Sequence, residues 1–166
     1  MRAAIQFVQK KFTGLSIVGA EVGVMQGYNA LDILQNILNL RLLYLIDPYL
    51  GLCPFDGNEA TKYLAKENLA FYDHKICWVY KKFESCTTED ISEPLDFIYI
   101  DGDHSYECVK EQLVLAAKLV KKDGVVGGHD FGWTGNDGGV HKAVKEYVNL
   151  HEVTLNVRKD GDWWVI

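Results

Sequence analysis

No two cysteines in this chain stand in a pairing motif: Cys53, Cys77, Cys86 and Cys108 are scattered, with no Cys-x-x-Cys and no histidine ladder beside them. That spacing excludes a zinc knot and a dithiol redox motif, and the four thiols are expected to be reduced. Nor does the chain hold a run of about eighteen apolar residues, the length that crosses a bilayer. Its amino-terminal stretch Met1–Phe12 has no long apolar core of the leader type. No membrane partner is expected, and the cytoplasm is the default location. Basic residues are outnumbered 17 to 23, a net charge of −6, so a general nucleic-acid surface is not expected and a small ligand suits the balance better. Repeats, linkers and low-complexity tracts are lacking as well. The 166 residues therefore read as one domain, 1–166, with residues 1–14 forming a short amino-terminal helix.

What is present is an ordinary globular balance, 48% hydrophobic and 24% charged, enough to bury roughly two thirds of the unfolded surface in one core. Short apolar runs recur at 16–22, 41–46, 76–80, 96–100 and 125–128 and read as buried strands. Between them lie helical patterns. Ala30, Ile33, Leu34, Ile37 and Leu38 step as one buried face. Residues 58–71 place Ala60, Tyr63, Leu64, Leu69 and Phe71 among Lys and Glu, and residues 106–120 place Val109, Leu113, Leu115, Ala116 and Leu119. Lys121, Lys122 and Gly124 form a natural helix exit. A further helix is expected over 140–149. The carboxyl end, 151–157 and 163–166 around Asp160-Gly161, reads as a hairpin, with one of Trp163 and Trp164 in the core and the other facing out. The fold class is α/β: a Rossmann-like three-layer sandwich with a mainly parallel sheet.

In an open parallel sheet, ligands bind beyond the carboxyl ends of the strands. The polar residues of this chain fall there in order: Glu21, then Asp47, then Glu84 and Ser85, then Asp101 and Asp103 with His104, then His129 and Asp130. Five apolar runs deliver acids, hydroxyls or imidazoles to one edge, which argues for a ligand site rather than a merely soluble rim. After the first run comes Glu21-Val22-Gly23-Val24-Met25-Gln26-Gly27, a Glu-x-Gly-x-x-x-Gly turn. It lacks the three-glycine spacing that seats a dinucleotide pyrophosphate, which disfavours a NAD or nucleotide-sugar enzyme.

The Glu-x-Gly-x-x-x-Gly turn, the acid after the second strand, Ile100-Asp101-Gly102-Asp103-His104-Ser105-Tyr106, and Gly127-Gly128-His129-Asp130-Phe131 together resemble the class I S-adenosylmethionine-dependent methyltransferases. Within that class they resemble the small O-methyltransferase-like group related to the cephalosporin hydroxylase and macrolide sugar O-methyltransferase enzymes, over roughly residues 15–166. The resemblance implies a seven-stranded sheet with an antiparallel carboxyl-terminal hairpin. It implies S-adenosylmethionine as cofactor and methyl transfer to a hydroxyl of a small molecule or sugar. Glu21, Gly23 and Gly27 would hold the methionine portion, Asp47 the ribose hydroxyls, Glu84 and Ser85 the adenine, with Asp101 beside them. Family members often show Gly-Asp-Ser where this chain has Phe83-Glu84-Ser85.

Two devices could activate the acceptor. Metal-dependent members would place a divalent cation such as Mg2+ at Asp101, His129 and Asp130, whereas the alternative makes His129 or His104 a general base next to Asp101. A non-catalytic Rossmann-like binding module is the reading from another class. It gains from the thin cover that residues 1–14 can offer, and the same thinness suggests a homodimer that completes its own roof. Ser105 is expected to cap the helix that follows it, Tyr106 to pack, and His74, His141 and His151 to be solvated. Trp133, in the glycine-rich loop, could close over a substrate or pack on a neighbouring subunit.

Overall fold

The computed structural model describes residues 1–51 and 57–166. Cys53 lies outside the described residues, and Cys77, Cys86 and Cys108 are free thiols. Twelve regular elements follow one another: α1 (Ala3–Lys11), β1 (Ile17–Val22), α2 (Tyr28–Asn36), β2 (Leu40–Ile46), α3 (Glu59–Leu69), β3 (Ile76–Val79), β4 (Leu95–Ile100), α4 (Tyr106–Leu119), β5 (Val120–Gly128), α5 (Gly139–His151), β6 (Leu155–Val157) and β7 (Trp163–Val165). They build a seven-stranded sheet in the order β3-β2-β1-β4-β5-β7-β6. The first five strands are parallel, and β7 enters antiparallel between β5 and β6.

Because successive strand residues point to opposite faces, the two faces of the sheet collect different partners. Val18, Ala20, Val22, Ile98 and Ile100 face α4 and α5 through Val109, Leu113, Val140 and Val144. Ile17, Leu43, Leu45, Phe97 and Tyr99 face α1, α2 and α3 through Ile5, Val8, Ile33, Leu34, Ala65 and Leu69. With helices on both sides, the central strands β1 and β4 are buried throughout, and their near-continuous apolar sequences follow from that.

Four local expectations are corrected. Leu38 is 82% exposed because α2 ends at Asn36, so the spacing continues past the helix that would bury it. On α3 the buried positions are Ala65 and Leu69, while Tyr63, Leu64 and Phe71 are exposed. The helix presents Ala65 and Leu69 towards the start of α2, and its Tyr63 and Leu64 are left outside. Residues 121–124 belong to β5 as a register shift between Leu95–Val120 and Phe97–Val125, not to a separate helix exit. Lys121 Nζ closes that bulge on Asp96 Oδ1 at 2.8 Å, while Asp96 Oδ2 accepts from Val18 N–H. Finally, Trp163 and Trp164 are both buried, at 0% and 3%. β7 lies inside the sheet, so neither of its faces meets solvent.

Candidate functional site

β1 delivers Glu21 to the carboxyl edge on the face that α1, α2 and α3 cover. Its Oε1 accepts from Asn29 Nδ2 at 2.8 Å, and its Oε2 is buried without a partner. Burial, opposed by that hydrogen bond, pushes the Glu21 carboxyl up to about 8, because a desolvated carboxylate is penalised in its charged form. Gly23 follows with φ +83, and a Cβ there would stand 2.1 Å from Asp101 O. The turn therefore presses directly on the end of β4, an approach open to glycine alone. Gly27, at φ +78, precedes the first residue of α2.

Asp47, at the end of β2, is 6% exposed. Its Oδ2 accepts from the N–H groups of Val24 and Met25 at 2.9 and 3.0 Å, and its Oδ1 accepts from Tyr49 N–H at 2.9 Å. Two of these charge-assisted bonds hold the glycine turn in shape, and the third, from Tyr49, fixes the chain just after Asp47. The carboxylate is chiefly a clamp on the turn, with acceptor capacity left for one more donor.

Glu84 and Ser85 sit in a short 3-10 turn after β3. Ser85 is exposed, and Glu84 turns towards α4, where its Oε1 accepts from Gln112 Nε2 and lies against Cys108 Sγ, each at 2.6 Å.

The ends of β4 and β5 converge. His104 Nε2 lies 2.9 Å from Asp130 Oδ2 and 3.7 Å from Asp101 Oδ1. Ligand-type atoms of Asp101, His104 and Asp130 all fall within 4.8 Å of one another. The neighbouring Asp101 carboxylate raises the His104 pKa above its ordinary value; burial opposes the rise, and the charges of Asp130 and Asp103 add to it. Trp133 sets its indole edge-on to this imidazole at 5.2 Å, so within this chain it roofs His104. Asp130 holds φ +60, a conformation that aspartate tolerates better than most residues and that turns its carboxylate back towards His104.

His129 does not join this group. Its Nε2 lies 2.9 Å from Asp160 O and its Nδ1 3.1 Å from Asp130 Oδ1, so the ring faces the β6–β7 turn. Ser105 occupies the N-cap position of α4 without a side-chain bond; Asp103 Oδ1 instead accepts from Ser105 N–H.

Two further residues belong here that the strand-end pattern does not single out. Asp162 is fully buried before β7; it accepts from Ala4 N–H at 2.9 Å and Tyr99 OH at 2.7 Å, tying α1 to β4. Arg2, just before α1, brings its guanidinium to 3.3 Å from Asp101 Oδ2 and 3.7 Å from Asp162 Oδ1. Neither lies at the end of an apolar run, and only the packing of α1 across β5 and β7 brings them in. An open cavity of about 390 Å³ lies beside them, lined by Met1, Arg2, Tyr28, Asn29, Asp32 and Asp160.

A glycine turn pressed on an acid at the neighbouring strand end, in a 3-2-1-4-5-7-6 sheet, is the arrangement to set beside known proteins. A family model described as a methyltransferase domain matches residues 20–131, from Ala20 to Phe131. The chain belongs to this methyltransferase family. No curated protein matches it in sequence. Among solved structures, a calicheamicin methyltransferase superposes with a TM-score of 0.76 at 14% identity, over 98% of this chain and 76% of that one. An O-methyltransferase from Bacillus cereus, solved with S-adenosylhomocysteine, gives 0.67 at 18% identity, covering 98% and 78%. An rRNA methylase from Streptococcus thermophilus gives 0.70 at 11% identity, covering 98% and 91%. At such identities the likeness is one of fold, and the methyltransferase fold expected from the sequence is the one observed. No described helix is long and apolar enough to cross a membrane.

Proposed function

We propose that the chain is an S-adenosylmethionine-dependent methyltransferase acting on a hydroxyl of a small molecule, with His104 as the base. One observation carries the reading: an imidazole bracketed by two carboxylates at the ends of β4 and β5, on the strand end against which the glycine turn packs. The cofactor's fit is supported by the buried Glu21 Oε2 at the end of β1, which has no partner among the described residues. When bound, S-adenosylmethionine supplies an electrophilic methyl group on a sulfonium sulfur. Gly23 and Gly27 let the backbone approach the methionine portion, and Asp47 fixes the turn that carries them while keeping one acceptor position for a ribose hydroxyl. His104 Nε2 lies towards Asp130 and Asp101, and a proton kept on Nε2 beside these carboxylates leaves Nδ1 to accept the acceptor's hydroxyl proton. The two carboxylates orient the ring and stabilise the imidazolium it becomes. Proton transfer of this kind contributes about 10²- to 10⁴-fold.

Magnesium has no part in the reading. The gathered donors are two carboxylates and an imidazole rather than all oxygen, and Asp101 is already paired with Arg2 and His104. A hard cation that favours oxygen ligands suits this set poorly.

Calorimetry with S-adenosylmethionine, S-adenosylhomocysteine and NAD tests the proposal. Heat with both sulfur nucleotides and none with NAD is expected; silence with the sulfur nucleotides would sink it.

A further inference from the structure

The cavity beside the glycine turn has an uneven set of charges. Asp32 and Asp160 line it, and Asn29 on its wall is bonded to the buried Glu21. Two cations line it, the Arg2 guanidinium and the Met1 ammonium, and the ammonium is taken up by Asp32 Oδ2 at 3.3 Å. That guanidinium is under-used. Of its five N–H donors, one makes a hydrogen bond, the long 3.3 Å contact to Asp101 Oδ2, while the 3.7 Å approach to Asp162 Oδ1 is beyond bonding distance. It lies 5.7 Å over the Tyr99 ring and is 32% exposed, so it is held in place with its outer donors free. Asp162, which it approaches, also accepts from Ala4 N–H and Tyr99 OH, and this fixes the segment that carries Arg2 against β4. Gly23 rests against Asp101 O, so the guanidinium and the methionine-end turn meet on one residue.

With Asp32 occupied by the Met1 ammonium, a guanidinium with donors to spare beside Asp160 complements a zwitterion: a carboxylate turned to Arg2 and an ammonium turned to Asp160. We infer that Arg2 is a cofactor-positioning residue that binds the α-carboxylate of the methionine portion, with Asp160 facing its ammonium. The inference rests on the cofactor reading above. Planar bidentate pairing suits arginine, and the half-buried setting strengthens it. The acidic walls also weaken affinity for an anion that carries no positive charge of its own.

Isothermal calorimetry on the intact protein tests the inference with three ligands. S-adenosylhomocysteine carries the carboxylate and the ammonium, its decarboxylated analogue lacks only the carboxylate, and 5'-methylthioadenosine lacks both. Wild type should bind S-adenosylhomocysteine about 10- to 100-fold more tightly than the decarboxylated analogue, the range of a charge-assisted pair. Arg2→Ala should lose that preference while its affinity for 5'-methylthioadenosine stays within about twofold, and Arg2→Lys should restore part of it. Equal wild-type affinity for the first two ligands overturns the inference without needing any variant to fold. So does a uniform fall with all three ligands in Arg2→Ala, which marks a structural role. If wild type binds none of the three, the cofactor reading itself fails, and the inference with it.

Discussion

The two halves of the sheet's carboxyl edge are built on opposite plans. At β1 and β2, Glu21 and Asp47 are buried, and Asp47 is satisfied by backbone N–H groups from the turn it supports. At β4 and β5, Asp101, His104 and Asp130 are half-buried and meet one another through side chains. Backbone partners fix a carboxylate's surroundings permanently, whereas side-chain partners leave a proton free to move among them. The first plan suits a rigid cradle and the second a proton relay. If that division holds, substitutions on the two sides should separate affinity and stability from turnover.

The largest effect is expected at the relay. His104→Gln should lower kcat by about 10²- to 10⁴-fold with S-adenosylhomocysteine affinity unchanged. In wild type, activity should rise with pH through the raised His104 pKa, as the imidazole loses the proton that blocks it. The stability it contributes runs the other way: present in full below the ordinary histidine value of 6.5, lost as pH climbs through the folded-state value. An unchanged pH–rate profile in His104→Gln, once an acceptor is in hand, would remove the base from His104.

Asp47→Asn should have the next effect, on the other side of the division. It removes the charge and one acceptor oxygen from a clamp holding three backbone N–H groups, at a cost of about 2 to 3 kcal/mol. Urea denaturation should show the loss of stability and calorimetry a parallel loss of cofactor affinity, while kcat at saturation stays close to wild type. A fall in kcat with affinity intact would break the comparison.

The contrast also marks what the linear pattern could reveal. Strands 17–22, 40–46 and 95–100 were legible because apolar runs bounded by glycine or acid have few other uses, and the turn after Glu21 was legible from local spacing. Pairings made across the fold were not. His104 and His129 each sit within a residue or two of a strand-end acid, and nothing local tells that the β6–β7 turn takes up His129 through Asp160 O while His104 turns inward. Arg2 and Asp162 lie 160 positions apart, and their meeting depends on β7 inserting antiparallel beside β5. The exposed Tyr63 and Phe71 show the same limit: a helical period locates a face but does not say that a small residue, Ala65, is the one that packs.

At pH 5.5 the smallest effect is expected at Glu21, and it sharpens the description of the cradle. A carboxyl whose folded pKa is raised from 4.5 to about 8 binds more protons in the native than in the unfolded state across that interval. Stability therefore falls as pH rises from about 4.5 to about 8, then levels off. Glu21→Gln keeps the shape and the acceptor for Asn29 but cannot ionise in either state, so the slope should vanish. At pH 5.5 the variant should gain only about 1.4 kcal/mol, one pH unit above the unfolded value at about 1.4 kcal/mol per unit, and the gain should widen towards pH 8. Denaturation midpoints at pH 5, 6, 7 and 8 would show it as two curves that diverge with pH. Parallel curves would mean that Glu21 is ionised in the folded protein, and the cradle would then carry a fixed negative charge before any cofactor arrives.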